Sequence, residues 1–196
     1  MFTGIIENKA KLIAFDDRGT NRTFCFESEL ANELKIDQSL SHNGVCLTIE
    51  HIDLPNHYYV TAIKETLDKT NLGQLFKDDE VNLERCMPAN GRFDGHIVQG
   101  HVDQTGICTN IINLDGSWQF DFEYKAGNEN ITVEKGSICI NGVSLTCFNS
   151  GLNTFSVAII PYTYQHTNFN QLKIGDTVNL EFDIVGKYIR KMASFA

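Results

Sequence analysis

Three prolines, one tryptophan and no C-x-x-C pair among six cysteines occur in these 196 residues. A basic run is missing too: sixteen Lys and Arg stand against twenty-five Asp and Glu, a formal net charge of −9. A chain of that balance, with no basic-aromatic cluster, repels phosphate backbones and argues against a nucleic-acid-binding barrel. No stretch reaches the roughly 18 consecutive apolar residues of a spanning helix, so no membrane role is expected. The opening MFTGIIENKAKL carries no basic n-region followed by an apolar h-region, and the expectation is a soluble, cytoplasmic protein that is not exported. In that compartment Cys25, Cys46, Cys86, Cys108, Cys139 and Cys147 read as reduced thiols, most of them inside alternating apolar runs such as Thr23-Phe24-Cys25-Phe26. At 42% hydrophobic and 21% charged residues, the chain has enough apolar surface for a core and too much for a disordered segment.

What the sequence does have is repetition. Asn43-Gly44-Val45-Cys46-Leu47-Thr48 returns as Asn141-Gly142-Val143-Ser144-Leu145-Thr146, five identities in six at an offset of 98 residues. Thr70-Asn71-Leu72-Gly73-Gln74-Leu75 returns at Thr167 to Leu172, and Asp79-Glu80-Val81-Asn82-Leu83-Glu84 at Asp176 to Glu181, both at an offset of 97. Gly4-Ile5-Ile6-Glu7 aligns loosely with Gly100-His101-Val102-Asp103. Four landmarks in one order at nearly constant spacing mean an internal duplication, each half long enough for a small domain. The expected organisation is 1–92, 93–183 and a tail, 184–196, with Pro88 to Arg92 as the linker.

Within a half the hydrophobic period is two, as from Thr132 to Thr146 and from Asn153 to Ile160, between Gly, Asn and Asp punctuation. The expected fold is all-β, two tandem six-stranded antiparallel barrels, because closure removes exposed sheet edges. Helical signals are few. Ser28 can cap Glu29 to Leu34, and Lys64 to Leu72 and Thr163 to Leu172 suit a turn or two. Apolar residues at Ile184, Val185, Tyr188, Ile189 and Met192 predict a terminal amphipathic helix that covers its own barrel or a neighbouring subunit.

Two homologous barrels with one recurring motif suggest two similar pockets. Alternation along a strand puts Cys46 and Thr48 on one side, and Ser144 and Thr146 likewise, so one pocket would offer a thiol and a hydroxyl and the other two hydroxyls. The motif also reads as a plain hairpin turn entering a strand. His96 and His101, five residues apart, fall on opposite faces of a strand, without a Cys or carboxylate at ligand spacing, so no metal is expected. His101 is either a proton carrier near neutral pH or a structural histidine. Lys135 is a solvated turn lysine or a cation for a ligand oxygen. Cys46 is a packed thiol or a nucleophile, with nothing nearby to lower its pKa. Asp78-Asp79-Glu80 looks like an ordinary solvated turn.

Met1 to Glu7, Asn43 to Thr48, Lys64-Glu65-Thr66-Leu67 with Thr70 to Gly73, Val81 to Arg85, Gly95 to Asp103 and Lys135 to Thr146 together resemble the riboflavin synthase family, over nearly the whole chain. That resemblance implies Greek-key barrels, a helix that assembles a homotrimer, and no metal or redox cofactor. It implies a dismutation in which two molecules of 6,7-dimethyl-8-ribityllumazine exchange a four-carbon unit to give riboflavin and 5-amino-6-ribitylaminopyrimidinedione. The active site would lie between the first barrel of one subunit and the second barrel of the next, and some relatives associate with lumazine synthase. Carried over by position, Cys46, Leu47 and Thr48 match first-barrel contacts, with Gly4, Ile5, Ile6 and Thr61, Ala62, Ile63, Lys64, Glu65 and Thr66. Second-barrel contacts match Ser144, Leu145 and Thr146, with Lys135, Gly100, His101, Val102 and Ile159, Ile160, Pro161, Tyr162, Thr163 and Tyr164. His101, Ser144, Cys46 and Ser39 match proton-transfer or nucleophile candidates, and Asp183 an orienting carboxylate. Four positions depart from the family pattern: Asn141 where Asp is usual, the bulkier Tyr162 and Tyr164, and Asp94 in place of Gly. The rival reading is a non-catalytic lumazine or flavin antenna protein, which resembles this family but lacks second-barrel residues. The retention of His101, Lys135, Ser144 and Thr146 favours the enzyme.

Overall fold

The computed structural model describes residues 1–127 and 130–195. Among these residues, twelve strands close into two six-stranded antiparallel barrels of identical connectivity. The first comprises β1 (Asn8–Arg18), β2 (Asn21–Glu27), β3 (Ser39–His42), β4 (Val45–Asp53), β5 (His57–Ala62) and β6 (Glu80–Arg85), in the order β1-β2-β5-β4-β3-β6. The second comprises β7 (Gln104–Asn113), β8 (Trp118–Tyr124), β9 (Ser137–Ile140), β10 (Val143–Phe148), β11 (Thr154–Ile159) and β12 (Thr177–Phe182). The opening strand of each barrel carries a bulge at the equivalent place, between Leu12 and Ala14 and between Cys108 and Asn110. Such a bulge adds the local twist that lets a small sheet close.

The predicted run from Thr132 to Thr146 is not one strand. Glu134 and Lys135 form a turn before β9, and Asn141-Gly142 turns β9 into β10. The helical signals resolve into short pieces. Ser28 caps a 3-10 turn, Glu29–Glu33, by accepting from the Leu30 N–H. The first-half segment forms α1 (Lys64–Lys69) with a 3-10 turn after it, and the second-half segment forms α2 (Pro161–His166) with its own. The terminal helix α3 (Ile184–Ala193) starts at Asp183, whose side chain accepts from the Val185 N–H. Its Val185, Tyr188, Ile189 and Met192 are exposed, so within one chain its apolar face covers no barrel. No helix among the described residues is long and apolar enough to cross a membrane. All six cysteines are free thiols, three of them buried.

Each barrel has its own core. Phe24, Phe26, Tyr58 and Val60 fill the first, and Phe120, Phe122, Phe155 and Val157 the second. His42 lies wholly inside the first. Its Nδ1 sits 3.1 Å from the Leu40 carbonyl and its Nε2 3.0 Å from the Tyr58 hydroxyl. A carbonyl only accepts, so Nδ1 carries the proton and Nε2 accepts from Tyr58. Burial holds this imidazole neutral and pushes its pKa from 6.5 down to about 3. The unfolded chain therefore binds a proton below about pH 6.5 while the folded one does not, and stability falls as pH drops through that window. By about pH 4.5 the expected loss is about 3 kcal/mol. Urea unfolding near pH 7 and near pH 4.5 should show His42→Gln losing that much less than the parent; equal losses would place the effect in another group.

The barrels join about a pseudo-twofold axis on which equivalent residues meet. Phe2 and Val98 exchange both backbone hydrogen bonds, at 2.7 and 3.1 Å, and Gly44 abuts Gly142 so closely that a Cβ on either would lie 2.9 Å from the other's nitrogen. Six asparagines complete the joint. Asn82 Nδ2 donates to the Asn141 carbonyl and Asn179 Nδ2 to the Asn43 carbonyl, each at 2.9 Å. The Asn71 N–H donates to Asn179 Oδ1 at 2.6 Å and the Asn168 N–H to Asn82 Oδ1 at 2.8 Å.

Candidate functional site

The leading segment of each half crosses to the other barrel. Gly4 accepts a hydrogen bond at its carbonyl from the Ser144 N–H on β10, at 2.8 Å, and Gly100 accepts one from the Cys46 N–H on β4, at 2.9 Å. Ile6 packs against the second core and Val102 against the first. Both glycines have left-handed backbone, φ +79 and +81, and a Cβ on either would lie 2.6 Å from the Cβ of the residue opposite. Only glycine brings the backbone this close in that conformation. The resemblance places Gly4, Ile5 and Ile6 with Cys46, and Gly100, His101 and Val102 with Ser144; within one chain the structure pairs them the other way. Strand alternation is local and carries no information about which barrel a preceding loop reaches.

A cavity of about 500 Å³ opens on the outer face of β10, lined by Ile5, Lys135, Ser144, Leu145, Thr146 and Thr163 among others. Ser144 faces it from the less buried side of the strand, and its Oγ lies 2.7 Å from His96 Nδ1. Burial pulls the His96 pKa down from 6.5, with the Asp183 carboxylate pulling the other way, so the imidazole is largely neutral at pH 7. A hydroxyl hydrogen-bonded to a neutral imidazole that is itself near a carboxylate can add to an electrophile or pass a proton. Lys135, at a left-handed turn position, holds its Nζ 5.7 Å from the Phe148 ring centre at the rim.

The equivalent cavity on β4, about 300 Å³, is lined by Cys46, Glu65, Thr66, Lys69, Gly100, His101 and Val102 among others. Burial raises the Cys46 thiol pKa from its ordinary 9.0, against a weaker lowering by its hydrogen bond with Ser39. The sulfur is a thiol at neutral pH and a poor nucleophile. Glu65 pairs with Lys69 at 2.9 Å and Lys64 with Asp68 at 2.7 Å, all exposed along α1.

Several expected contacts lie elsewhere. Leu47 and Ala62 point into the first core and Ile159 into the second, so only their backbones can meet a ligand. Thr48 is exposed on β4, paired with Ser39, and Thr61 hydrogen-bonds Thr23 and Glu50. Ile63 is exposed where α1 begins; Ile160, exposed where α2 begins, does line the second cavity, with Pro161 the first residue of α2. Tyr164 stacks on Trp118 at 3.8 Å, the rings nearly parallel, and Tyr162 on His166 at 4.2 Å, so neither aromatic departure fills the second cavity. Asn141 is buried in the barrel joint, where its Oδ1 accepts from the Asn179 N–H at 2.8 Å, and an acid-base role is not its task. Asp94 sits at the rim of the second cavity and pairs loosely with Arg92 at 3.4 Å. His96 is the residue that sequence reasoning missed. The segment from 95 to 101 is not a strand but a loop with one bridge residue, Val98, and it sends His96 to the second barrel and His101 to the first. The signal available was Gly95, which lies against Thr3 and Ser144 with no room for a Cβ.

The lumazine binding domain family matches this chain twice, over residues 3–86 and 99–183. Among curated relatives, the riboflavin synthase of Actinobacillus pleuropneumoniae is 40% identical over 97% of this chain and 89% of its own length. That of Bacillus subtilis is 37% identical over 96% and 88%. A solved structure of LumP complexed with riboflavin superposes with a TM-score of 0.84 at 22% identity, over 93% of this chain and 99% of that one, and supports the fold. Two matched domains, on barrels that each carry one crossed cavity, and full-length relatives above 30% identity mean that this chain belongs to the riboflavin synthase family of enzymes.

Proposed function

We propose that the chain dismutates two molecules of 6,7-dimethyl-8-ribityllumazine, transferring a four-carbon unit to give riboflavin and 5-amino-6-ribitylaminopyrimidinedione. The observation that carries this reading is the pair of equivalent but chemically unlike cavities, Ser144 with His96 in one and Cys46 with His101 in the other. A reaction between two copies of one molecule needs two similar sites that treat their occupants differently. In the second-barrel cavity the Ser144 oxygen adds to one lumazine while its proton passes to His96 Nδ1, and the Asp183 carboxylate favours the resulting imidazolium. In the first-barrel cavity His101 takes a proton from the 7α-methyl group of the other lumazine, beside Cys46 and Ser39, which act as polar walls. Thr146, Lys135 and the backbones of Gly4 to Ile6 and Gly100 to Val102 hold rings and ribityl chains. Holding two ring systems in register supplies an effective molarity of about 10⁵ to 10⁸ M, which carries more of the rate than any single acid or base.

Assembly completes the reading. The exposed apolar face of α3 seals against neighbouring copies in a homotrimer, and the first-barrel cavity of one subunit faces the second-barrel cavity of the next. Purified protein incubated with 6,7-dimethyl-8-ribityllumazine alone should form one riboflavin per two lumazines consumed, followed by absorbance. Tight binding without product would move the chain to the antenna class.

A further inference from the structure

Two buried carboxylates stand at equivalent places on the last strand of each barrel, Glu84 on β6 and Glu181 on β12, 4% and 3% exposed. Among the described residues neither has a cation within hydrogen-bond distance, unlike Asp103, which holds Lys187. Each is met by main-chain donors instead. Glu84 Oε1 accepts from the Thr3 N–H at 2.7 Å and the Thr3 hydroxyl at 3.0 Å, and its Oε2 from the Gly4 N–H at 2.9 Å. Glu181 Oε1 accepts from the Gln99 N–H at 2.6 Å, and its Oε2 from the Gly100 and His101 N–H groups at 2.9 and 2.8 Å. Burial raises both carboxyl pKa values and these donors pull them back, the balance expected of a carboxylate held inside a ring of N–H groups.

The segments so held are the two that cross. Gly4, bound through its N–H to Glu84, offers its carbonyl to Ser144, and Gly100, bound through its N–H to Glu181, offers its carbonyl to Cys46. We infer that Glu84 and Glu181 are positioning residues that act across the barrel joint: Glu84 sets the geometry of the second-barrel cavity, and Glu181 that of the first. The functional meaning of this brace rests on the proposed use of the two cavities; its mechanics do not. A glutamine at either site accepts through one oxygen only, and its NH₂ faces at least one N–H whichever way the amide turns, so the segment loses a tether and gains a repulsion.

Amide hydrogen exchange on the full-length, ligand-free protein tests this directly, because the Ser144 and Cys46 N–H groups are themselves the crossing bonds. Glu84→Gln should speed exchange at Ser144 by about tenfold or more and leave Cys46 protected; Glu181→Gln should do the reverse. Acceleration at both amides in one variant, at neither, or at the barrel that carries the substitution would overturn the brace. Should Glu84→Gln fail to fold, Thr3→Ala removes one donor to the same carboxylate, and several-fold acceleration confined to Ser144 is expected, with any other pattern counting against the inference. Titration of the parent protein with 6,7-dimethyl-8-ribityllumazine, run alongside, separates the two claims. Absence of binding there counts against the proposed function, while the exchange pattern still decides the brace.

Discussion

Gly4→Ala is expected to lower kcat/KM by about a hundredfold or more while leaving the first-barrel cavity able to bind lumazine. An added Cβ would lie 2.6 Å from Ser144 Cβ, 2.7 Å from Ser144 N and 2.9 Å from Ser144 Cα, with φ at +79. Two of those three contacts are main chain, so no rotamer change relieves them. The left-handed conformation adds about 1–2 kcal/mol for a residue with a side chain. The leading segment must therefore retreat from β10, and Ser144 loses its tether together with its alignment to His96. Misplacement by about 1 Å is enough to cost a hundredfold in an aligned reaction. Gly100→Ala is the mirror case, with its Cβ 2.6 Å from Cys46 Cβ and 2.8 Å from the buried Phe2 ring. Steady-state kinetics with fluorescence titration of each variant checks this, and a kcat/KM within about threefold of the parent would mean that the close approach serves packing alone.

Ser144→Ala should reduce kcat by about 10²- to 10⁴-fold with little change in lumazine affinity at the first barrel. His96→Ala should fall in the same range, and the double variant should lose little beyond either single one, because the hydroxyl and the imidazole act as one unit. Multiplying losses would show that the 2.7 Å contact is incidental. The pH dependence follows from the sign of the His96 shift. The imidazole accepts a proton only when neutral, and burial has moved its pKa below 6.5, so the acidic limb that His96 contributes to kcat/KM lies below the ordinary histidine range. Asp183 opposes that shift. Asp183→Asn keeps a good helix cap for α3 and should move the acidic limb lower still; an unmoved limb would assign it to another group.

Much of the architecture was legible because duplication writes itself into sequence. The Asn-Gly turns, the return of Asp-x-Val-Asn-Leu-Glu and the period-two runs located the hairpin of β3 and β4, that of β9 and β10, and the closing strands β6 and β12. The terminal helix was legible from its apolar spacing. Short strands blurred where turn and strand share a composition, as from Thr132 to Gly136. The site was legible by type rather than by partner. Ser144, Cys46, His101 and Lys135 all line the two cavities, while Tyr162, Tyr164 and Asn141 turned out to stack or bridge outside them.

The sequence by itself determined that there are two barrels, which strand faces carry the polar motif, and that the halves differ by a thiol and a hydroxyl, because turns, side-chain alternation and repeats are properties of neighbouring residues. Only the tertiary structure decided that each half's leading segment serves the other half's barrel and that His96 joins Ser144. Those pairings depend on Phe2 meeting Val98 across the pseudo-twofold axis and on six asparagines closing the joint, contacts between residues tens of positions apart that no local pattern encodes.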